Sequence, residues 1–293
     1  GYHGWHDWYL ATNLKRKDNL SEHLIPGLEP NGVPNSLEGT IFPFSYNNYE
    51  ELEDLVEKEN IGIIKMEVER NTEPKDNFLS KVRSLATKNN IILIFDECTS
   101  GFRETFGGLH KKYKINPDIA VFGKALGNGY PITAVIGKKE IMNAAQNSFI
   151  SSTFWTDRIG PTAALKTLEI MENDETWKQI SKFGKEIKER WICLGKKYNL
   201  PLKTFGLSSL CGFTIDSEFS NEYITYITQE MLKCSFLASD TIYVSTAHNE
   251  EILNNYFDIL DAIFAQIERC EENKDISKYL NSNIRHKKFE RLN

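Results

Sequence analysis

The chain has 293 residues, long enough for one large domain with a smaller one beside it. Its 41 acidic residues exceed its 35 basic ones, and Lys and Arg form no broad patch that fits a phosphate backbone, so we expect no nucleic-acid partner. The five cysteines form no Cys-x-x-Cys pair, and no apolar run reaches the roughly 18 residues of a membrane span. We therefore expect a cytoplasmic protein with reduced thiols, no metal site and no membrane contact.

The N-terminal stretch gives few structural signals. Residues 11–58 contain Pro26, Pro30, Pro34 and Pro43, and we expect a long irregular loop that folds over a site or a neighbouring subunit. The chain has no initiator Met and opens inside a motif at its first residues. We therefore expect an N-terminal truncation.

Short β-rich runs alternate with helical ones from Gly62 to Thr167, an order typical of a mainly parallel sheet. Strands are predicted at 61–68, 91–95, 117–122 and 132–137, and helices at 76–89 and 161–171. Asp76 is the expected cap of the first helix. The apolar run 91–95 ends at Asp96, and polar residues at this end of a strand lie where open α/β sheets bind ligands.

The pattern changes near Asn173 and Asp174 to that of a smaller α+β unit. Helices are predicted at 177–198, 221–234 and 250–268, and strands at 202–205, 211–216 and 239–245. The sequence therefore predicts two domains, a larger one over residues 1–173 and a smaller one over residues 174–293.

Lys124 is the first candidate for chemistry. It follows the strand 117–122 inside Phe-Gly-Lys-Ala-Leu-Gly-Asn-Gly, whose small residues let a bulky ring approach, and a Schiff-base lysine needs such a crowded, desolvated place. An ordinary surface lysine at a strand end fits the same pattern. Asp96 strengthens the first interpretation, because a fixed carboxylate keeps a pyridine nitrogen protonated; a helix cap is its alternative role.

Two segments carry a family resemblance. Asp96–Arg103 (Asp-Glu-Cys-Thr-Ser-Gly-Phe-Arg), followed by Phe122–Ile132, resembles the signature of class III aminotransferases. Gly1–Asp7 resembles the aromatic-His-Gly motif of that family, and Ser151–Trp155 resembles its phosphate-contacting Thr segment. Within the class, the chain is similar to glutamate-1-semialdehyde 2,1-aminomutase-like proteins. The Ser/Gly-rich stretch that precedes these motifs in the family is absent.

The resemblance implies an architecture and a cofactor. The expected fold is α/β, the pyridoxal-phosphate-dependent transferase fold of type I, with a mainly parallel large-domain sheet, helices on both of its faces and a smaller C-terminal α+β domain. The expected cofactor is pyridoxal 5'-phosphate, and the expected partners are small amine and carbonyl substrates. A homodimer is expected because the family shares its site between subunits.

The resemblance also implies roles around the cofactor ring. Lys124 would carry the cofactor as an internal aldimine and act as the catalytic residue, while Asp96 would hold the pyridine nitrogen. Cys98 stands where the family commonly has an apolar residue against one ring face, a role that a small soft thiol can fill.

Other cofactor-binding roles follow from the resemblance alone. Tyr2 would stack on the ring with His3 beside it, and Glu67 would stand in the wall of the site. Thr153 would donate to the phosphate, usually from the neighbouring subunit, with Thr156 as its competitor. Each also fits a plain structural role, such as a residue at a frayed end or a strand-edge carboxylate. Trp5, Trp8 and Trp155 fit either a core or a substrate wall.

The expected reaction is transfer of an amino group between an amine donor and a carbonyl acceptor through the Lys124 aldimine. An aminomutase that moves the group within one molecule is the alternative, as is a noncatalytic relative that serves as an interaction module. A nucleotide-binding protein is disfavoured, because Gly123–Gly129 lacks the Gly-Lys-Ser or Gly-Lys-Thr ending of a P-loop. The Trp residues hint at a larger or sugar-like carbonyl acceptor.

Overall fold

A computed structural model describes residues 7–15, 20, 28–151 and 153–286. The α-helices in these residues are α1 (Asp7–Leu10), α2 (Thr12–Lys15), α3 (Tyr49–Lys58), α4 (Phe78–Lys88), α5 (His110–Tyr113), α6 (Lys139–Met142), α7 (Ile159–Asp174), α8 (Thr176–Lys197), α9 (Ser220–Lys233) and α10 (Glu250–Asn273). The strands are β1 (Ile63–Glu67), β2 (Ile92–Asp96), β3 (Ile119–Phe122), β4 (Ala134–Gly137), β5 (Leu202–Phe205), β6 (Leu210–Ile215) and β7 (Thr241–Tyr243). Short 3-10 helices lie at Asn35–Leu37, Lys124–Leu126, Asn143–Asn147 and Ile276–Tyr279.

The first sheet has the strand order β1-β2-β3-β4. The first three strands are parallel, and β4 returns antiparallel to β3. Glu67 is in register with Asp96, and Asp96 is in register with Val121. The carboxyl ends of the three parallel strands therefore meet at one edge of the sheet, as the alternation of strands and helices predicted.

One face of this sheet is buried under helix α4. The helix begins after Asn77 and buries an apolar stripe at helical spacing, formed by Phe78, Leu79, Val82, Leu85 and Ala86. Leu93 and Phe95 lie in the same core and are fully buried, which stabilises the fold by roughly 1.5–3 kcal/mol for each side chain. Because side chains alternate along a strand, Lys65 and Asp96 lie on the opposite face, which is half-buried.

An irregular loop was expected over residues 11–58, and this expectation was wrong for the last ten of them. Residues Tyr49–Lys58 form helix α3, in which the side chain of Asn48 accepts a hydrogen bond from the N–H of Glu51. Leu52 is buried in the core that contains helix α4. The last proline of this stretch is Pro43, which lies before the helix, so no proline interrupts it.

The expected helix cap at Asp76 was also wrong. Asp76 and Asn77 both have a left-handed backbone, with φ of 49° and 58°. Asn77 occupies the N-cap position and makes no side-chain capping bond. A capping side chain needs an extended backbone at its own residue, which a left-handed turn does not supply.

The second sheet is antiparallel, in the order β5-β6-β7. Its core includes Trp191 of helix α8, whose ring lies 4.9 Å from that of Phe213, measured between centroids, and whose Nε1 donates to Tyr256 Oη at 3.0 Å. Helices α7 and α8 are separated by Glu175, with φ of 48°, next to the predicted boundary. The division into two domains remains a prediction. No helix among the described residues is both long and apolar enough to cross a membrane.

Asp118, just before β3, joins helix α4, strand β2 and the residue that follows strand β4. Its carboxylate accepts hydrogen bonds from Arg83 Nη1 and from Leu93 N, each at 2.8 Å, and it pairs with Lys138 Nζ at 2.7 Å. Burial raises the pKa of Asp118, but the hydrogen bonds from Leu93, Lys138 and Arg83 outweigh it and lower the pKa to about 2. The folded protein therefore favours the ionised carboxylate.

We expect Asp118→Asn to lower the free energy of unfolding by about 2 kcal/mol at pH 7, since a lowered folded-state pKa stabilises the fold above the unfolded pKa. This contribution disappears as pH falls from about 4 to about 2, so the difference from wild type should shrink over that range. Urea unfolding at several pH values measures it. Asp216→Asn is the control, because the Asp216–Lys203 pair is exposed and should contribute little. Equal losses in the two variants would contradict this assignment.

Candidate active site

The candidate site lies at the carboxyl edge of the first sheet. Strand β2 ends at Asp96, and β3 ends at Phe122, directly before Gly123 and Lys124. Lys124 has a left-handed backbone with φ of 46° and begins the short helix Lys124–Leu126. This conformation costs roughly 1–2 kcal/mol for a residue other than Gly, and such residues concentrate at functional sites.

Lys124 contacts the segment that follows β2. Its Nζ donates a hydrogen bond to Thr99 Oγ1 at 2.6 Å, and Thr99 is buried. Cys98 lies beside Gly123, since a Cβ placed on that glycine would be 3.5 Å from Cys98 Sγ. Cys98, Thr99, Gly123 and Lys124 therefore form one contiguous group.

Asp96 belongs to the same strand end and is held by two donors. One carboxylate oxygen accepts from Cys98 N and the other from Lys65 Nζ, each at 3.1 Å. Burial raises the pKa of Asp96, but the Lys65 ammonium and the Cys98 N–H outweigh it, so the pKa lies below its usual value. Asp96 is a carboxylate anion at neutral pH.

The pKa of the Cys98 thiol responds to the charges of both Asp96 and Lys124. Burial and the negative charge of Asp96 raise this pKa, the positive charges of Lys124 and Lys65 lower it, and the net result is a pKa of about 11. The thiol therefore lies within electrostatic reach of both the candidate ring-nitrogen partner and the candidate lysine.

Lys124 lines a cavity of about 950 Å³, which we call the lysine cavity. Its cationic lining residues are Arg103, Lys124, Arg158 and Lys166, and none of the described residues that line it is Asp or Glu. Helix α7 and the segment 244–246 after β7 also contribute to the wall. Such a lining favours anionic groups, for example a phosphate or a carboxylate.

A second cavity of about 1270 Å³ touches the half-buried face of the sheet. Lys65 and Glu67 are among its lining residues, and the Glu67 carboxylate lies 3.8 Å from Arg70 Nη1. Asp96 lines neither this cavity nor the lysine cavity. It is paired with Lys65, which lines the second cavity, and it accepts a hydrogen bond from the backbone of Cys98.

The remaining candidates are not brought to Lys124 within the described chain. Thr153 and Thr156 are exposed and absent from the lysine-cavity lining. Tyr2, His3 and Trp5 lie outside the described residues. Trp155 is 68% exposed, so it is not a core residue within this chain.

Three residues at the site were not singled out from the sequence. Thr99 and Arg103 stand inside the Asp96–Arg103 motif, so that motif could have indicated them. Lys65 stands two positions before Glu67, and the two-residue period of a strand puts both on one face. The pairing of Lys65 with Asp96 depends on the register between β1 and β2, which no local pattern contains.

We expect Cys98 to react with iodoacetamide far more slowly than the exposed Cys234, because a pKa of about 11 leaves roughly one thiol in a thousand ionised at pH 8. Asp96→Asn should speed the reaction at Cys98, and Lys124→Met should slow it, as each changes the charge near the thiol. Mass spectrometry of labelled peptides gives both rates.

Lys138→Met is the control for this experiment, since Lys138 pairs with Asp118 at the opposite end of β3. Unaltered Cys98 labelling in both the Asp96 and the Lys124 variant would separate these residues from one common site.

Comparison with known proteins identifies relatives. Residues 71–263 match the family described as Aminotransferase class-III. The chain is 37% identical over 205 residues to 3-aminobutyryl-CoA aminotransferase of Cloacimonas acidaminovorans, a match that covers 64% of this chain and 45% of the relative. It is 29% identical over 287 residues to glutamate-1-semialdehyde 2,1-aminomutase of Sulfurisphaera tokodaii, with 91% and 67% covered.

A solved structure gives the same fold. The FumI protein of Sphingopyxis sp. MTA144, in its PLP internal aldimine form, superimposes with a TM-score of 0.78 at 20% identity, covering 93% of this chain and 64% of that one. This likeness confirms the expected α/β fold with its mainly parallel sheet. The chain spans only part of each of these relatives, from 45% to 67% of their lengths.

Proposed function

Because the chain belongs to the class III aminotransferase family, we propose that it transfers an amino group between an amine donor and a carbonyl acceptor with pyridoxal 5'-phosphate as cofactor. The observation that carries this proposal is the group at the sheet edge. Lys124 bonds to Thr99, and the adjacent Cys98 thiol feels the charges of both Lys124 and Asp96. An amine and a fixed carboxylate near each other are what this cofactor requires.

The chemistry of these side chains fits the cofactor. Pyridoxal phosphate supplies an aldehyde that condenses with amines and a ring that accepts an electron pair when its nitrogen is protonated. Lys124 provides the amine, and the ionised Asp96 provides the negative partner for the ring nitrogen. The cationic lining of the lysine cavity suits the phosphate.

Each side chain at the site has a separate role in this reaction. Lys124 Nζ takes up the proton that leaves the amine-bearing carbon of the substrate and returns it later, and Thr99 orients this nitrogen through its hydrogen bond. Asp96 keeps its negative charge because Lys65 and the Cys98 N–H stabilise the anion. Cys98 would pack against one face of the ring and, as a neutral thiol, would not compete as a nucleophile.

The family resemblance supports the remaining contacts with the cofactor. Tyr2 and His3 are assigned to the other side of the ring, Glu67 to the wall of the site, and Thr153 to the phosphate of the neighbouring subunit. The exposure of Thr153 leaves it accessible to a second subunit.

An intramolecular version of the same transfer is the second candidate. It is favoured by the aminomutase relative, whose similarity extends over 91% of this chain. The proton-transfer groups are the same, and only the substrate differs, since the donor and acceptor carbons then lie in one molecule. Product analysis with a single diamine or amino-aldehyde separates the two reactions.

The thiols support a proposal for the cellular compartment. All five cysteines, Cys98, Cys193, Cys211, Cys234 and Cys270, are free. Unpaired cysteines favour a reducing compartment, and we place the protein in the cytoplasm.

We expect borohydride reduction of the cofactor-loaded protein to fix the cofactor on the peptide that contains Lys124, because this lysine is the amine at the site. Lys124→Ala should abolish the adduct and the activity with amine donors. Peptide mass spectrometry and absorbance spectra provide the measurements. Lys166→Ala is the control, a lysine of the same cavity that is paired with Glu169. Cofactor trapped equally in the Lys124 variant would overturn the proposal, and a wild-type protein that binds no cofactor would favour the noncatalytic relative.

We expect a homodimer. The segment around Thr153 and helix α7 expose large apolar side chains, a feature of protein interfaces. These residues are Phe149, Ile150, Trp155, Ile159, Leu165 and Ile170. Light scattering should give twice the 33.7 kDa chain mass, and Leu165→Glu should shift it toward the monomer, whereas Leu232→Glu, at an exposed site on helix α9, should not. A fully active monomer would contradict the shared site.

A further inference from the structure

Lys65 lies in the middle of strand β1, on the half-buried face of the first sheet. Ile94 of β2 is its partner in register, and Ile63 lies two residues before it on the same face, so its neighbours on the sheet include apolar side chains. The Lys65 side chain is 24% exposed, which leaves the ammonium partly withdrawn from water. A charge in such a place is unfavourable unless an opposite charge accompanies it.

The opposite charge is that of Asp96. Lys65 Nζ donates a hydrogen bond to Asp96 Oδ2 at 3.1 Å, and the Asp96 side chain is only 13% exposed. The register places Glu67 beside Asp96, so the Lys65 side chain reaches forward along the sheet to the strand end. Glu67 pairs with Arg70, whose Nη1 lies 3.8 Å away. The ion pair between Lys65 and Asp96 is therefore part of the candidate site at the edge of the sheet.

The Asp96 carboxylate has the capacity for a further donor. Its Oδ1 accepts from Cys98 N and its Oδ2 from Lys65 Nζ, each at 3.1 Å. An ionised carboxylate has about four acceptor positions, and these two bonds occupy about half of them. A protonated ring nitrogen can therefore bind Asp96 while Lys65 keeps its place, and the single negative charge is then shared between two cations.

A shared anion binds each cation less strongly than it would bind one alone, because the two cations repel each other. Salt screens this repulsion only weakly where the side chains are partly buried. The Cys98 N–H differs from Lys65 in this respect, since a neutral donor stabilises the carboxylate without adding a positive charge. Burial raises the pKa of Asp96, and the Lys65 ammonium is the largest influence that lowers it. Lys65 thus keeps the carboxylate ionised and at the same time opposes a second cation beside it.

We propose that Lys65 weakens the hold of Asp96 on the protonated ring nitrogen of the cofactor and so limits how strongly the ring draws electrons from the substrate. This inference rests on the proposed function. A ring nitrogen that is protonated less completely makes the ring a weaker electron acceptor. Lys65 acts through Asp96 as a positioning residue, and proton transfer at the substrate remains with Lys124.

The test compares how tightly cofactor-free protein binds pyridoxal 5'-phosphate and 1-deazapyridoxal 5'-phosphate, in which carbon replaces the ring nitrogen. The ratio of the two Kd values measures the preference for the ring nitrogen, since contacts with Lys124 and with the phosphate are common to both. Lys65→Met should raise this preference about 10-fold, the equivalent of one pKa unit at the ring nitrogen, because Asp96 then faces one cation. Asp96→Asn should remove most of the preference.

Two further variants separate the charge of Lys65 from its packing. Lys65→Arg keeps the positive charge and should keep the wild-type preference. Lys65→Gln removes the charge but retains a polar side chain, so it should behave as Lys65→Met does and carries the test if the Met variant does not fold. Lys203→Met is the matched control and should leave the preference unchanged, because Lys203 is also a strand lysine paired with an aspartate, Asp216 at 2.9 Å, but lies in the second sheet.

Nuclear magnetic resonance gives a readout that depends neither on turnover nor on affinity. The ¹⁵N signal of ring-labelled cofactor bound to the protein should move toward the protonated form in Lys65→Met and Lys65→Gln and should stay in place in Lys65→Arg. A preference and a signal that both match wild type in the two neutral variants would overturn the inference. So would a lower preference in these variants, since Lys65 would then strengthen the hold of Asp96.

The borohydride adduct on Lys124, measured in the same samples, separates this inference from the proposed function. An adduct in wild type, together with an unchanged ring-nitrogen preference in the neutral Lys65 variants, leaves the proposed function intact and rejects the role of Lys65. Absence of the adduct from wild-type protein rejects the proposed function, and the inference with it.

Discussion

The parallel register between β2 and β3 is the constraint on which the candidate site depends. Asp96 pairs in register with Val121, so the end of β2 and the turn after β3 lie at one edge. A shift by one residue would turn Asp96 to the face buried under helix α4, because side chains alternate along a strand. The buried Leu93 and Phe95 oppose such a shift, since it would bring them to the half-buried face. The packing of apolar residues thus sets the position of a charged one.

The charges at the site lie in two places, on the sheet around Asp96 and in the lining of the lysine cavity. On the sheet, the negative charge of Asp96 is compensated by Lys65 and a backbone N–H, so the carboxylate stays ionised while partly buried. In the lysine cavity the lining residues are cationic, and none of those described is acidic. A ligand that carries a cationic ring nitrogen and anionic groups is complementary to both parts. Pyridoxal phosphate has this distribution of charge.

Unfavourable backbone conformations flank the lysine cavity. Lys124 and Phe102, the residue before Arg103, both have positive φ, a conformation that persists only where the surrounding structure holds it. Phe102 and Phe122 belong to the same small core with Leu126, so the loop and the lysine turn support each other. The two larger cores, one around helix α4 and one around Trp191, stabilise the fold on either side. Local strain at the site is tolerated because stability comes from these cores.

The sequence by itself determined the order of strands and helices, the mainly parallel sheet, and the two motifs that place Asp96 and Lys124 at strand ends, because apolar periodicity and local residue order encode them. It did not predict helix α3, where a polar helix follows a proline-rich stretch, or the short helices α5 and α6. Only the tertiary structure decided that Lys65 pairs with Asp96, that Thr99 holds Lys124, and that Arg103 reaches the lysine cavity without an acidic partner among the described residues. These contacts join residues that strand register and loop packing bring together, and neither is contained in the pattern of any single segment.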